Sequence, residues 1–216
     1  MLEEVYLVGA GGHVRSLINI LDLNGFKICG IYDDNFKNDE EINSYRLVGK
    51  LENIETDNKL ILAVGENKKR ELLFYKYYNH IIKKRIVHPS AIIEENGKLG
   101  QGNQVFAGVY INTNATIGDN NILNTKSIIE HEVVIGNHNH ISVGTILCGR
   151  VRIGNNRFIG AGAVIIDKVL ICDAVIVGAN SVVVKDIVEP GTYVGNPVKK
   201  IKWFMSRLQA FAKILW

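Results

Sequence analysis

The sequence predicts a small α/β domain with a Rossmann-like parallel sheet, followed by a parallel β-helix and a C-terminal helix. One aliphatic residue recurs at every sixth position from Ile93 to Val183, which predicts the β-helix. Strand and helix patterns alternate before residue 88, and apolar residues follow a three-four spacing after residue 200. We therefore expect three parts, which cover residues 1–88, 89–195 and 196–216.

The first strand is predicted over Val5 to Val8, where it ends in the glycine turn GAGGH at residues 9–13 before a helical pattern. A second strand, Ile28 to Tyr32, closes with Asp33-Asp34 about twenty residues after the turn, where nucleotide-binding units place an acid. Glycines let a backbone approach a phosphate, and a helix N-terminus offers free N–H groups. We expect a nucleotide at this edge, with a tight turn without a ligand as the alternative. Val14 replaces the third glycine of the dinucleotide fingerprint, which disfavours NAD.

The rest of this domain alternates in the same way. A third strand is predicted over Lys59 to Gly65, then a helix to about Tyr78 and a short strand over Arg85 to Val87. The polar stretch from Asp39 to Asn58 is interpreted as a surface excursion. His88 precedes a proline, which favours extended geometry and marks the boundary with the β-helix.

The repeat region carries isoleucine, leucine or valine at all sixteen positions of the six-residue step. A small or β-branched residue usually lies two positions earlier, so both positions are expected to face inward. Glycine follows the aliphatic residue at Gly100, Gly118, Gly136 and Gly154, at intervals of 18 residues. Three short strands per coil, stacked at about 4.8 Å, predict a triangular prism.

Composition excludes some classes of protein. The net charge is only +3, and basic residues do not cluster before the C-terminus. This pattern does not indicate a nucleic-acid-binding surface. The three cysteines form no C-x-x-C pair, which suits a reducing compartment. The start is acidic, and no apolar run reaches about 18 residues, so we expect a cytoplasmic protein.

The glycine-containing hexads resemble those of the hexapeptide-repeat acyltransferases. This resemblance implies a left-handed β-helix, association as a homotrimer, and acyl-CoA bound in the groove between neighbouring subunits. Within these acyltransferases, the chain most resembles the branch that contains sialic acid O-acetyltransferases and nucleotide-linked amino-sugar N-acetyltransferases. Four motifs carry this resemblance: GAGGHVR, IYDDN, AVGEN and EHEVVIG. In that branch the small sheet domain holds the sugar nucleotide.

The resemblance also implies roles for individual residues. His131 matches the general base and Glu132 the neighbour that increases its basicity, while Gly149 matches the donor to the oxyanion. The positions that match sugar-nucleotide contacts are Gly11, Gly12, His13, Asp33, Asp34 and Gly65. The positions that match the acetyl-CoA site are His140, Ala161 and Ala179. Asn124 and Glu130, outward in phase, are expected to position the acceptor sugar.

Three histidines, His131, His138 and His140, fall within ten residues and raise the possibility of a metal site. The hexad phase places them outward, toward the groove or solvent. No carboxylate or thiolate stands at ligand spacing, so we expect no metal.

The end of the chain carries two further features. The segment from Tyr193 to Ile201 resembles the one that ends many hexapeptide acyltransferases, and Lys199 and Lys200 either meet a CoA phosphate or are solvated. The final amphipathic, tryptophan-flanked helix is expected to pack on a neighbouring subunit, with a membrane surface as the less favoured alternative.

These observations predict an acetyl-CoA-dependent N-acetyltransferase that acts on a nucleotide-linked amino sugar, such as a 4-amino-4,6-dideoxy sugar, in surface glycan synthesis. One alternative is O-acetylation of a sugar of the sialic acid type. The other, from a different class, is a β-helix scaffold that binds a sugar nucleotide or partner proteins without turnover.

Overall fold

The computed structural model describes residues 2–37, 39–55, 57–82 and 84–201 of the 216-residue chain. An N-terminal α/β region is followed by a parallel β-solenoid, as the sequence predicts. The predicted helix after Ile201 lies outside the described residues. Neither helix in the described ranges has the length and apolar character needed to cross a membrane.

The N-terminal region is a five-stranded sheet with two helices. Its elements are β1 (Glu3–Val8), α1 (Gly12–Leu23), β2 (Phe26–Tyr32), β3 (Glu41–Ile42), β4 (Tyr45–Gly49), the 3-10 turn Leu51–Asn53, β5 (Leu60–Leu62) and α2 (Asn67–Lys76). The strand order is β3-β4-β2-β1-β5. All neighbours are parallel except β3 and β4, which form an antiparallel hairpin at the edge.

The interpretation of residues 39–58 as a surface excursion is wrong for β4. This strand pairs with β2, where Leu47 lies opposite Ile31. Leu47 and Gly49 are buried and the residues between and before them are more exposed, an alternation that suits one packed face of a sheet. The alternation is short and lies within a polar stretch, so it was not recognised in the sequence.

Helix α1 packs on the sheet through a stripe at helical spacing, Val14, Leu17, Ile18 and Leu21, all buried. The turn before it depends on Gly9, which has a φ of +113°. A Cβ at Gly9 would lie 2.8 Å from a methyl carbon of Val64, which makes glycine the required residue there.

The solenoid consists of three parallel sheets that wind around one core. The first sheet contains the strands Ile92–Ile93, Tyr110–Ile111, Ile128–Ile129, Ile146–Leu147, Val164–Ile165 and Val182–Val183. The second contains Lys98–Leu99, Thr116–Ile117, Val134–Ile135, Arg152–Ile153 and Leu170–Ile171. The third contains Ile86–Val87, Gln104–Val105, Ile122–Leu123, His140–Ile141, Phe158–Ile159 and Val175–Val177, extended by the hairpin Gly191–Val194 and Lys199–Ile201.

The six-residue period determines which side chains fill the solenoid. Residues 18 apart are paired in register, as Ile111 is with Ile129. Fourteen of the sixteen aliphatic positions are buried, and the other two, Ile93 and Leu99, are partly buried in the first coil. The inward-facing prediction is therefore confirmed.

The turns between strands have a regular backbone. Fifteen of the sixteen inward aliphatic residues are followed, three positions later, by a residue with a left-handed φ between 53° and 68°; the exception is Val183. This series comprises Asn96, Gly102, Gly108, Asn114, Asn120, Lys126, Glu132, His138, Gly144, Arg150, Asn156, Gly162, Lys168, Ala174 and Asn180. Asparagine and glycine tolerate this conformation best, which explains their frequency there. Glu132, one of the predicted site residues, is in this series.

Candidate active site

His131 and Glu132 lie on the edge of the prism between the first and second sheets. His131 Nδ1 is 3.1 Å from Glu132 Oε2. Because an ionised carboxylate only accepts hydrogen bonds, Nδ1 carries the proton and Nε2 has a free lone pair. The His131 side chain is 41% exposed, so a substrate can reach it. This arrangement suits a general base.

Gly149 lies one coil further along the same edge, in contact with the His131 ring. A Cβ at Gly149 would lie 2.6 Å from both Cε1 and Nε2 of that ring. Within the described part of the chain, the Gly149 N–H has no hydrogen-bond acceptor. A free backbone N–H beside the base is a suitable donor to an oxyanion.

Glu130 is held beside His131 by two hydrogen bonds. Asn112 Nδ2 donates to Glu130 Oε2 at 2.7 Å, and the His131 N–H donates to the same oxygen at 3.4 Å. The carboxylate is therefore fixed near the base, where a bound sugar could meet its other oxygen.

Asn124, Ala161 and Ala179 lie on a different edge of the prism, between the third and first sheets. Asn124 Nδ2 is 3.3 Å from His140 Nε2, so this residue belongs with His140. Within one chain, the first sheet separates this group from His131.

His140 projects from the third sheet but is only 5% exposed, because the N-terminal region covers it. Its Nδ1 is 3.3 Å from Gly65 O, and its ring packs against Phe158 at 5.2 Å between centroids. Burial, and then the charge of Arg70, lower the pKa of His140 to about 3. The ring is neutral at physiological pH, and Nδ1–H donates to Gly65 O.

His138 is also buried, at 2% exposure. Its Nε2 lies 3.1 Å from Tyr75 Oη and its Nδ1 accepts from Asn120 Nδ2 at 2.8 Å. The prediction that His138 and His140 face the groove or solvent is therefore wrong. Their phase is outward from the prism, but α2 and the glycine-rich edge of the N-terminal sheet cover both.

His13 lies in the first turn of α1 and faces the solenoid. Its Nε2 donates to Gln104 Oε1 at 2.7 Å, and Gln104 Nε2 donates to Leu62 O at 2.6 Å. Burial lowers the pKa of His13 to about 4. The structure thus brings His13 within 6.3 Å of His140, measured between ring centroids, although the sequence assigned them to different ligands.

The predicted sugar-nucleotide residues lie at the carboxyl ends of β1 and β2. Gly11, Gly12 and Asp34 are exposed there. Asp33 is 7% exposed, and its two oxygens accept from the N–H groups of Ala10 and Asn35, both at 2.8 Å. Asp34 is therefore available to a ligand, whereas Asp33 holds the glycine turn in place.

Gly65, at the end of the neighbouring strand, is buried, and its carbonyl faces the solenoid. It accepts from Arg70 Nη1 at 2.9 Å as well as from His140. Neither Arg70 nor Gln104 was among the residues predicted for the site. The signal for Arg70 is its spacing with Leu73, one helical turn further on the same buried face of α2.

No group of three or more histidine, cysteine or acidic side chains in the described ranges is arranged to hold a metal ion. The chemistry available at the His131 edge is acid–base catalysis beside a free backbone donor. A parallel solenoid of six-residue repeats that carries such an edge, joined to a small α/β domain, has the architecture of a hexapeptide-repeat acyltransferase.

Solved structures with the same fold narrow the class. The chain superimposes on the acetyltransferase domain of PglB from Neisseria gonorrhoeae with a TM-score of 0.86 and 28% identity, covering 92% of this chain and 100% of that one. PerB from Caulobacter crescentus, solved in complex with CoA and GDP-perosamine, matches with a TM-score of 0.84 and 31% identity over 94% of this chain and 99% of that one. A variant of GDP-perosamine N-acetyltransferase from the same organism matches with a TM-score of 0.86 and 30% identity, covering 94% of this chain and 99% of that one.

Sequence comparisons agree with the structural ones. Residues 4–77 match the family model of the PglD N-terminal domain. An uncharacterized protein of Acanthamoeba polyphaga mimivirus is 35% identical over 110 residues, which are 48% of this chain and 22% of that protein. This chain thus matches only about a fifth of the length of that relative. With these likenesses, the chain belongs to the hexapeptide-repeat nucleotide-sugar N-acetyltransferases.

Proposed function

We propose that this protein is an acetyl-CoA-dependent N-acetyltransferase that acts on a nucleotide-linked amino sugar, such as a 4-amino-4,6-dideoxy sugar, in the synthesis of bacterial surface glycans. The observation that carries the proposal is the arrangement of His131, Glu132 and Gly149 on one solenoid edge. It is supported by a 31% identical structure that holds CoA and GDP-perosamine.

In this proposal His131 Nε2 accepts a proton from the sugar amine as its nitrogen attacks the thioester carbonyl. Glu132 accepts a hydrogen bond from Nδ1–H and stabilises the imidazolium that forms. The Gly149 N–H donates to the oxyanion of the tetrahedral intermediate. Collapse of that intermediate forms the amide and releases the thiolate of CoA, to which His131 returns the proton.

The positions assigned to acetyl-CoA lie on another edge of the same chain. A groove that contains both edges therefore needs a second copy, whose Ala161 and Ala179 would face the first copy's His131, with the covered His140 behind them. We infer a homotrimer, in which a left-handed solenoid supplies three such grooves. Light scattering should return about three times the chain mass of 24.0 kDa.

The remaining assignments follow from the same proposal. Residues 1–88 would bind the sugar nucleotide through Gly11, Gly12 and Asp34, with His13, Asp33 and Gly65 behind them. Residues 89–195 would catalyse transfer, with Glu130 and Asn124 near the acceptor. Packing of the expected C-terminal helix, which lies outside the described residues, on a neighbouring subunit stays a prediction. Nucleotide sugars and acetyl-CoA are made in the cytoplasm, where we place the protein.

The test is a screen of amino sugars linked to GDP, UDP or dTDP for release of free thiol from acetyl-CoA, with mass spectrometry of the product. We expect one acceptor to gain a single acetyl group on nitrogen. His131→Asn should then lower kcat by about 10²- to 10⁴-fold, the usual effect of removing a general base. Glu132→Gln should lower it less, because the carboxylate adjusts basicity and accepts no substrate proton.

The matched control is His88→Asn, which changes a histidine whose Nδ1 accepts from the Ser90 N–H. This variant should retain wild-type turnover. Acetylation on oxygen would replace the N-acetyltransferase proposal with O-acetylation. Binding of a sugar nucleotide without thiol release would favour the scaffold.

A further inference from the structure

Arg70 is a buried cation on helix α2 whose hydrogen bonds join the two parts of the molecule. Its side chain is 0% exposed, and among the described residues every oxygen within hydrogen-bond reach is neutral. Nη1 donates to Val64 O at 3.2 Å and Gly65 O at 2.9 Å, Nη2 to Asn67 Oδ1 at 2.8 Å, His138 O at 3.2 Å and Asn139 O at 3.0 Å, and Nε to Asn120 O at 3.2 Å. A guanidinium has five N–H groups, so six acceptors occupy all of them.

These hydrogen bonds contribute little net stability to the fold, because burying the guanidinium charge costs free energy of desolvation. Burial lowers the pKa of Arg70 to about 9, which leaves the guanidinium charged at neutral pH without a contacting carboxylate. A methionine of similar length would fill the same space without desolvating a charge, and such replacements are often neutral or stabilising. What only arginine supplies is a planar set of donors that fixes several carbonyl groups relative to one another.

The carbonyls that Arg70 fixes lie beside residues assigned to both ligands. Gly65 O, at the sugar-nucleotide edge, accepts from Arg70 Nη1 and also from His140 Nδ1. Asn139, whose carbonyl accepts from Arg70 Nη2, directly precedes His140, which is assigned to acetyl-CoA. A shift of the guanidinium would therefore move Gly65 and His140 relative to each other.

We propose that Arg70 is a positioning residue for acetyl transfer, which holds the sugar-nucleotide edge at Gly65 and the acetyl-CoA position at His140 at a fixed separation. This inference rests on the function proposed above. Arg70 contacts neither His131 nor Gly149, so it acts on how the two substrates are placed and leaves the proton transfer itself intact.

The test measures kcat and both KM values in Arg70→Met and Arg70→Lys, well below their melting temperatures. Arg70→Met keeps the length of the side chain and removes every donor. We expect both KM values to rise by at least about tenfold and kcat to fall by about tenfold or more, because the bound substrates no longer meet in the reacting geometry although the base is untouched. Arg70→Lys, with three donors on a point charge, should lie between Arg70→Met and wild type.

The matched control is Leu73→Ala, which truncates a buried residue on the same helix, within the N-terminal core. It should lower Tm while leaving both KM values within about twofold of wild type, since KM does not depend on the folded fraction. Unchanged KM values in Arg70→Met, with only a lower Tm, would overturn the proposal.

A second variant covers the case in which Arg70→Met does not fold. Asn67→Ala removes the Arg70 partner at 2.8 Å and the hydrogen bond from Asn67 Nδ2 to Arg157 O at 2.6 Å. Both KM values should rise several-fold, and wild-type values would again overturn the proposal. If the wild-type protein released no thiol with any acceptor, the proposed function would fail and this inference with it.

Discussion

The imidazole of His131 occupies the space that a side chain on Gly149 would need. The two residues are one coil apart, and a Cβ on Gly149 would lie 2.6 Å from both Cε1 and Nε2 of the ring. Ordinary carbon contacts begin at about 3.5 Å, so any larger residue must displace the ring. The glycine is required by the position of the base and not by the backbone.

We predict that Gly149→Ala lowers kcat by at least about 10²-fold, close to the effect of removing the base, because Nε2 is pushed from its place. The ring is the far end of a side chain that is 41% exposed, so it can rotate away without disturbing the core. The melting temperature should stay within a few degrees of wild type. Steady-state kinetics and thermal unfolding of the same preparation measure both effects.

Gly160→Ala is the contrasting variant. A Cβ there would lie 2.6 Å from the backbone nitrogen of Ala179 and 2.7 Å from the carbonyl carbon of Gly178, neither of which can move freely. This variant should lower the melting temperature markedly. If Gly149→Ala lost stability in the same way, the clash would be with the fold and the interpretation would be wrong.

Alanine substitutions of the adjacent residues Asp33 and Asp34 should have different effects on substrate binding and on Tm. Asp34→Ala should weaken sugar-nucleotide binding by about 1.5 to 3 kcal/mol, the value of one charged hydrogen bond, and leave acetyl-CoA binding and Tm unchanged. Asp33→Ala removes the acceptor of the Ala10 and Asn35 N–H groups, so it should lower Tm as well as affinity. Calorimetric titration with each substrate and thermal unfolding distinguish the two. Equal losses for both substrates in Asp34→Ala would contradict its assignment.

The solenoid could be predicted almost completely from the sequence because its geometry depends on one repeated unit. A position in the hexad determines burial, as the fully buried Ile129 and Val133 illustrate. The glycine turn and its two flanking strands were predictable for a similar reason, since each is a local pattern of a few residues.

The features that could not be predicted depend on which distant parts of the chain pack against each other. The hexad phase gives the direction of His138 and His140 but not the helix that packs over them. The spacing of Asp33 from the glycine turn is the same whether its carboxylate binds a ligand or caps the turn. Arg70 follows two lysines in the sequence. Only the packing of α2 on the solenoid buries its side chain and lets it donate to both parts of the molecule.

Unfolding should become easier in mild acid because buried histidines are neutral in the folded protein. His13 and His140 have pKa values of about 4 and about 3, lowered chiefly by burial, and burial lowers the pKa of His138 too. Between pH 6.5 and 4 the unfolded chain binds more protons, so the free energy of unfolding falls as pH falls. His13 and His140 each contribute a slope that approaches about 1.4 kcal/mol per pH unit below about pH 6, where the unfolded histidine is protonated.

His140→Gln removes one of these titrating groups. Urea unfolding at fixed protein concentration, from pH 4.5 to 7.5, should give a slope that is smaller than that of wild type by about 1.4 kcal/mol per pH unit at the acidic end of this range. At pH 7.5, about one unit above the pKa of an unfolded histidine, His13 and His140 contribute almost no slope, because both states are nearly neutral there. The same slope in variant and wild type would mean that His140 is protonated in the folded protein.

Arg157 interrupts a ladder of buried asparagines inside the prism. Asn139 Nδ2 donates to Asn121 Oδ1 at 3.0 Å, and Asn121 Nδ2 donates to Asn103 Oδ1 at 3.1 Å, each pair 18 residues apart. Arg157 stands at the next step, where its backbone N–H donates to Asn139 Oδ1 at 2.8 Å. Its side chain is 0% exposed and Nη2 pairs with Asp173, but Nε and Nη1 have no partner among the described residues.

We predict that Arg157→Asn stabilises the protein. The shorter amide continues the ladder by donating to Asn139 Oδ1 and removes a buried charge whose pKa desolvation lowers. Relief of unpaired donors should raise the free energy of unfolding by about 1 to 3 kcal/mol, and each kcal/mol raises Tm by about 2 to 4 °C for a chain of this length. Asp173 loses its partner at little cost because its side chain is 72% exposed.

The control is Arg157→Ala, which removes the charge but leaves a cavity and no donor to the ladder. Its free energy of unfolding should rise less than that of Arg157→Asn. A lower Tm for Arg157→Asn than for wild type would mean that the guanidinium stabilises the coil, contrary to this account.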